Sequence, residues 1–183
     1  MACKATDGLT FSCADLLKVG GVSPTFWVGY LSELDTAFSL TQTADISTMD
    51  FGSYGGLRRF EGNKFSHSAG FTLVEAAGGN KSYTHTVTVK VVSDSTADDV
   101  ILQDLTLGND IFVVVQDNNR NFLIFGAGNG MRVSANTQNS GVTGDSDTTN
   151  QITLEGQELT LPLRFALGGG YQATLDYIEG REL

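Results

Sequence analysis

Apolar and polar positions alternate along much of this chain, and the alternation predicts strands. In SYTHTVTVKVV, 82–92, Tyr83, His85, Val87, Val89 and Val91 share one face, while Thr84, Thr86, Thr88 and Lys90 share the other. That is the period of a half-buried strand with its threonines and Lys90 on the wetter side. AGFTLVEA, 69–76, precedes it across the turn AGGNK, so the two are expected to form a hairpin. TFWVGYL, 25–31, is rich in aromatic and β-branched residues and reads as a strand. AFSLTQ, 37–42, comes next after a polar break at Ser32–Asp35. NDIFVVVQD and NFLIFG flank Asn118-Asn119, and because Asn tolerates positive φ they predict a second hairpin over 109–126. QITLEGQELTLPLRFAL, 151–167, and GYQATLDYI, 170–178, return to strand character.

The period changes in SDSTADDVILQDLTLG, 93–108. Ser95 or Thr96 is placed as an N-cap, Asp98 and Asp99 sit where the helix dipole favours negative charge, and Gly108 ends the segment. Val100, Ile101, Leu102 and Leu105 recur at helical spacing, so one helix is expected over about 96–107. Residues 49–68, with four glycines, four aromatics and the pair Arg58-Arg59, alternate only weakly and read as a long loop or irregular hairpin. Residues 127–150 are rich in Gly, Asn, Ser and Thr apart from a short MRVSA strand. Residues 1–24 are mixed and turn-rich, and Pro24 closes them as an arm, leaving 25–183 as one domain. Helix and strand do not alternate, which disfavours a doubly wound parallel sheet, and no 20-to-50-residue repeat stands out.

Composition agrees with many short strands joined by turns: 183 residues hold 22 Gly and only 2 Pro, with 40% apolar positions to build a core. The formal net charge of −10 opposes a grip on nucleic acid through its phosphates. Cys3 and Cys13 make no disulfide framework; they are either two small buried hydrophobes or a bridge across a local turn. No apolar run approaches the ~20 residues that span a bilayer. The N-terminal stretch has no apolar h-region, so synthesis in a cytosol is expected.

The motifs that suggest chemistry mostly fail on inspection. Gly126-Ala127-Gly128-Asn129-Gly130 lacks the third glycine of a dinucleotide fingerprint, where Met131 stands, and the next segment, MRVSANTQNSG, reads as strand then loop rather than helix. In AAGGNKSY, Asn80 replaces the glycine that a phosphate loop places before its lysine. Asp145 and Asp147 lie two apart but lack the glycine and distal glutamate of an EF-hand. His67 and His85 neighbour no cysteine, and no hydrolase or metalloprotease motif occurs. No cofactor, metal or catalytic residue is therefore assigned, and the chain is not expected to be an enzyme. Arg58-Arg59 is either a solvated basic pair or a partner for acidic groups of a neighbouring subunit.

One stretch carries a family pattern. QDNNRNFLIFGAGNGMRVSANTQNSGVTGDSDTTNQITLEGQEL runs from a strand through a D-N-N tip to a strand ending in Gly. A Gly-Met-x-Val strand, an S-G-x-x-x-G-D loop and an I-T-L strand with a Glu after it complete the pattern. With the Met1-Ala2-Cys3 start and Cys13, this order resembles the tail tube proteins of tailed bacteriophages, particularly those infecting Bacteroidetes-type bacteria. Residues 110–160 carry the likeness best; the middle of the chain matches only in architecture. The resemblance implies a β-sandwich or barrel of two packed antiparallel sheets with one flanking helix. Subunits of that kind form hexameric rings whose inner sheets join into one barrel. The rings stack through long inter-subunit loops and terminal arms into a hollow virion tail, assembled in the bacterial host cytoplasm. Its partners would be further copies of itself, other tail proteins, and double-stranded DNA passing through an acidic lumen without specific binding, with no membrane. On that basis the arm 1–24 and the loop 49–68 are expected to bridge subunits or rings, with Phe51, Tyr54, Arg58, Arg59 and Phe60 at the contact. Asp145, Asp147, Glu155 and Glu158 are candidates for the lumen.

Other virion parts fit the same features: a capsid decoration protein, a tail-completion protein, or the inner tube of a contractile injection machine. A carbohydrate-binding sandwich would align its aromatics on one face, whereas Phe26 and Tyr30 lie opposite Trp27.

Overall fold

The structure is a computed structural model that describes residues 20–40, 45–62, 66–91, 95–139 and 149–183. Cys3, Cys13, Asp145, Asp147 and most of the arm lie outside the described residues. The fold is mainly β. β1 (Val22–Tyr30), β2 (Arg58–Glu61), β5 (Ile111–Asp117), β6 (Phe122–Phe125) and β9 (Leu163–Phe165) form one antiparallel sheet, in the order β2-β1-β5-β6-β9. β3 (Ser68–Glu75), β4 (Lys81–Val91), β7 (Arg132–Asn139) and β8 (Thr149–Glu158) form the other, in the order β3-β4-β8-β7. The two helices are α1 (Thr96–Leu107) and α2 (Gly170–Glu179).

The five-stranded sheet is the middle layer. Phe26 and Val28 of β1, with Ile111, Val113 and Val115 of β5, pack against Val87, Val89, Ile152 and Leu154 of the second sheet. The alternate residues Trp27, Phe112 and Val114 turn the other way, onto Met49, Leu57 and Ile178. A strand covered on both faces must be apolar at every position, and Ile111 to Val115 are all buried. Phe26 and Trp27 do lie on opposite faces, as their spacing requires. The second sheet has one wet face, so β4 alternates as its sequence predicts, with His85, Val87, Val89 and Val91 buried between half-buried threonines.

α1 begins at Ser95, whose Oγ accepts the Asp98 N–H at 3.2 Å and donates to the Asp98 carboxylate at 2.7 Å. It closes one end of the sandwich with Leu102 and Leu105, while Val100 and Ile101 remain half-exposed although they share the apolar run. The backbone turns extended at Gly108, where a side chain would collide with Tyr30 and Ile111.

The structure departs from the periodicity in several places. Residues 170–178 form a helix, not a strand. Tyr171, Thr174, Leu175 and Ile178 fall at helical spacing and face the middle sheet, and this 3.6-residue repeat outweighs the apparent alternation. Thr174 secures the helix start, donating to the Gly170 carbonyl at 2.9 Å and accepting from Leu167 N–H at 3.0 Å. The stretch 49–68 contains the edge strand β2, which pairs with β1. Phe38 and Leu40 of the expected strand 37–42 instead cover the middle sheet, Phe38 edge-on to Phe112 at 5.1 Å. β7 runs eight residues, well past the short MRVSA strand expected. β1 starts at Val22 and continues through Pro24, so Pro24 does not close the arm. In the turn after β5 the residue at positive φ is Arg120, at 67°, rather than either asparagine. The Asp117 carboxylate organises that turn, accepting from Asn119 and Asn121 N–H at 2.8 Å each.

Candidate assembly site

The glycine cluster after β6 does cradle an anion, and the anion belongs to the chain itself. Gly126 and Gly130 take positive φ of 74° and 79°, which aim the loop back over β8. There the Glu158 carboxylate accepts Gly128 N–H at 3.2 Å and Asn129 N–H at 2.9 Å. Gly156, two residues earlier on the same face, leaves room for the Gly130 carbonyl, which any side chain would strike. Glu158 is only 2% exposed, so it does not face a lumen. Burial raises its pKa, and the N–H groups of Asn129, Gly128 and Gly130 offset part of that rise. Alternation along β8 carried the signal: Ile152, Leu154, Gly156 and Glu158 fall on one face, and Glu155 on the other.

His85 pins the same loop from β4. Its Nδ1 accepts Gly126 N–H at 3.2 Å, and its Nε2–H donates to the Thr160 carbonyl at 3.0 Å. This arrangement needs the neutral ring, and burial lowers the His85 pKa to match. His67 is also buried, and its Nδ1 accepts Lys90 N–H at 3.1 Å. Burial lowers its pKa too, the Pro24 carbonyl offsets part of the shift, and its buried Nε2 has no hydrogen-bond partner. His85 is thus a satisfied core group, whereas His67 is packed in the core with one ring nitrogen unpartnered. Among the described residues no three of His, Cys, Asp and Glu gather closely enough to hold a metal. No described helix is long and apolar enough to cross a membrane.

The residues expected at subunit contacts are brought together only in part. Arg58 is held in its own chain by a two-pronged pair with Glu33, at 2.7 Å on each prong, and lies 4.9 Å from the Tyr30 ring centre. The hydrogen bond to Glu33 raises its pKa, so it is a fixed cation. Phe60 stacks on Phe26 at 5.3 Å, and Phe51 on Phe112 at 6.3 Å, so both rings lean into the core. Arg59 is exposed and pairs with Glu61. Tyr54, 94% exposed, projects furthest.

The outer face of the four-stranded sheet is rich in hydroxyls. Register places Thr84, Thr86 and Thr88 of β4 beside Gln157, Glu155 and Thr153 of β8. Glu155 is exposed there, with Arg132 of β7 as its register partner. Of Glu155 and Glu158, only Glu155 is exposed.

The sheet edges differ in how they are protected. β9 is covered by Ile46, which bridges Phe165. α1 flanks β7. Among the described residues no strand lies beyond β2 or β3. β3 is eight residues long, and its Phe71, Leu73 and Val74 are 50%, 51% and 37% exposed. Beside β2, a groove of about 450 Å³ runs between that strand and α1, lined by Arg59, Phe60, Asp98, Ile101, Asp104 and Leu105. Sequence reasoning missed β3 as a surface because its apolar residues look like any buried strand. The chain matches no family model, no curated protein and no solved structure.

Proposed function

We propose that this protein is a virion structural subunit, a tail tube protein that assembles by its sheet edges into stacked hexameric rings around a conduit for genome delivery. The observation that carries the proposal is β3: a long edge strand whose Phe71, Leu73 and Val74 stand in water. Edges of that kind pair with another chain unless they are blunted, and β3 bears one charged residue, Glu75, at its very end. Covering Phe71 and Leu73 would recover about 1 kcal/mol each, since both are already half-buried. Repeated around a ring, that gain drives order rather than aggregation, because closure leaves no bare edge.

The hydroxyl-rich outer face of the second sheet suits a passage for DNA. Its charged groups are Lys90, Arg132 and Glu155 set among threonines and glutamines, and the net charge of −10 repels DNA on the whole. The resemblance of residues 110–160 to tail tube proteins supports the same assignment. Its partners would be copies of itself and other tail proteins, its place the virion tail, and its assembly the host cytoplasm. Negative-stain microscopy of the purified protein tests this: rings or rods with a central hole are expected. A protein that stays monomeric by analytical ultracentrifugation at the highest soluble concentration would sink the proposal.

A further inference from the structure

We infer that Asn129 is a latent modification site, an amide that the closed glycine loop protects and that ring closure by Gly130 converts to an acid once the loop opens. The inference does not depend on what the chain assembles into. Asn129-Gly130 is the one Asn-Gly pair in the sequence. Asparagine is thermolabile, and most so before glycine, because no side chain then hinders the next backbone nitrogen as it approaches the side-chain amide. The chemistry balances with water as its only co-reactant. The Gly130 nitrogen gives up its proton and attacks Cγ of Asn129, and the amide nitrogen leaves as ammonia. Water then opens the cyclic imide at one of its two carbonyls. One opening yields aspartate; the other yields isoaspartate, in which the backbone runs through the former side-chain carbonyl.

The fold restrains every part of that step. The Asn129 side chain is exposed to water, but its Nδ2 donates to the Gln157 carbonyl of β8 at 2.8 Å. Its backbone N–H is held by the Glu158 carboxylate at 2.9 Å. Gly130 is fixed at a φ of 79°, where an added side chain would strike Asp110, and its carbonyl lies close over Gly156. Ring closure needs rotation of the Asn129 side chain and of the peptide that joins it to Gly130. Those contacts oppose both rotations.

Conversion would also be one-way for the loop. An aspartate at this position has no N–H for the Gln157 carbonyl, so two oxygens meet where a hydrogen bond stood. It also sets a second carboxylate on the residue whose N–H holds Glu158. Isoaspartate lengthens the backbone between Gly128 and Gly130 and disturbs the donors that converge on Glu158. A loop that stays open long enough to react therefore does not close again as before.

The test is peptide mapping by mass spectrometry of the full chain, incubated at mildly alkaline pH either folded or unfolded in urea. Asn129 is expected to convert at least about tenfold more slowly in the folded chain, because the reaction waits on local opening. Equal rates in the two states, or no conversion at Asn129 in urea, would overturn the inference. Asn119 is followed by Arg120, and its converting as fast as Asn129 in urea would overturn the role of Gly130. Glu158→Leu should bring the folded rate toward the urea value, with circular dichroism separating loop opening from global unfolding. Glu158→Gln gives the same comparison with a smaller rise if the leucine variant does not fold. A folded variant of either kind that converts no faster than the parent would overturn the protection by Glu158. Asn129→Asp should lower the urea midpoint of unfolding; a midpoint equal to the parent's would overturn the one-way character.

Discussion

β5 and β3 look alike on paper and live in opposite surroundings. IFVVVQD sits at the centre of the five-stranded sheet with Ile111 to Val115 buried, whereas SAGFTLVE ends its sheet with Phe71 and Leu73 half in water. Composition separates them only in part: β5 has five apolar residues in a row, and β3 mixes Phe71, Leu73 and Val74 with Gly70 and Thr72. What separates them is the number of neighbours: β5 has a strand on each side and a layer on each face, and β3 has β4 alone. A core strand contributes stability; an apolar edge strand holds stability in reserve for a second chain.

The sharpest way to break this contrast is to truncate both strands. Phe112→Ala should cost about 3–5 kcal/mol of unfolding free energy, because Phe112 is fully buried among Phe38, Phe51 and their neighbours. Urea denaturation measures it, and a cost below about 1 kcal/mol would mean that the middle layer is not packed as described. Next in size is the loop that locks β6 to β8. Glu158→Leu removes the acceptor of the Gly128 and Asn129 N–H groups, which are only partly buried, and should cost about 1–3 kcal/mol in all. Glu158→Gln, which keeps one accepting oxygen, should cost clearly less by the same urea assay.

Stability should also depend on pH, with a definite sign. His67 and His85 have folded pKa values below the ordinary 6.5, so the stability they lend is present above that value and is lost as pH falls below it. Glu158 has a folded pKa above the ordinary 4.5, so its contribution is present below 4.5 and is lost as pH rises through the folded value. On acidification from pH 7.5 the urea midpoint should therefore fall, with Glu158 countering part of the fall. Glu158→Gln should make the acid decline steeper. An unchanged slope would show that Glu158 does not titrate in this window.

The smallest effect expected on folding is at the edge itself. Leu73→Ser should leave the monomer within about 0.5 kcal/mol of the parent, as surface changes do. The same change should abolish rods seen by microscopy. Equal losses of folding and of assembly would erase the distinction between β3 and β5.

Periodicity in the chain was enough to place β4 with its buried and wet faces, the hairpin it makes with β3, and α1 with a cap at Ser95 or Thr96, of which the fold uses Ser95, because each depends on neighbours close in sequence. Alternation also held the answer for Glu158, which shares a face with Leu154, yet a carboxylate is credible in a core only once its hydrogen-bond donors are known. Those donors come from residues 128 and 129, some thirty positions away, and only the folding of the glycine loop over Gly156 delivers them. α2 reads as a strand until Tyr171, Thr174, Leu175 and Ile178 are seen to share one side against the middle sheet.

What local pattern determined was therefore the kind of element, through side-chain period, capping and turn chemistry acting over a few residues. Which strands are central and which are edges, where the buried carboxylate finds its N–H groups, and which apolar residues are left for another copy were decided by long-range pairing. Hydrogen bonds and burial between distant segments depend on who the neighbours are, and no stretch of sequence names its own neighbours.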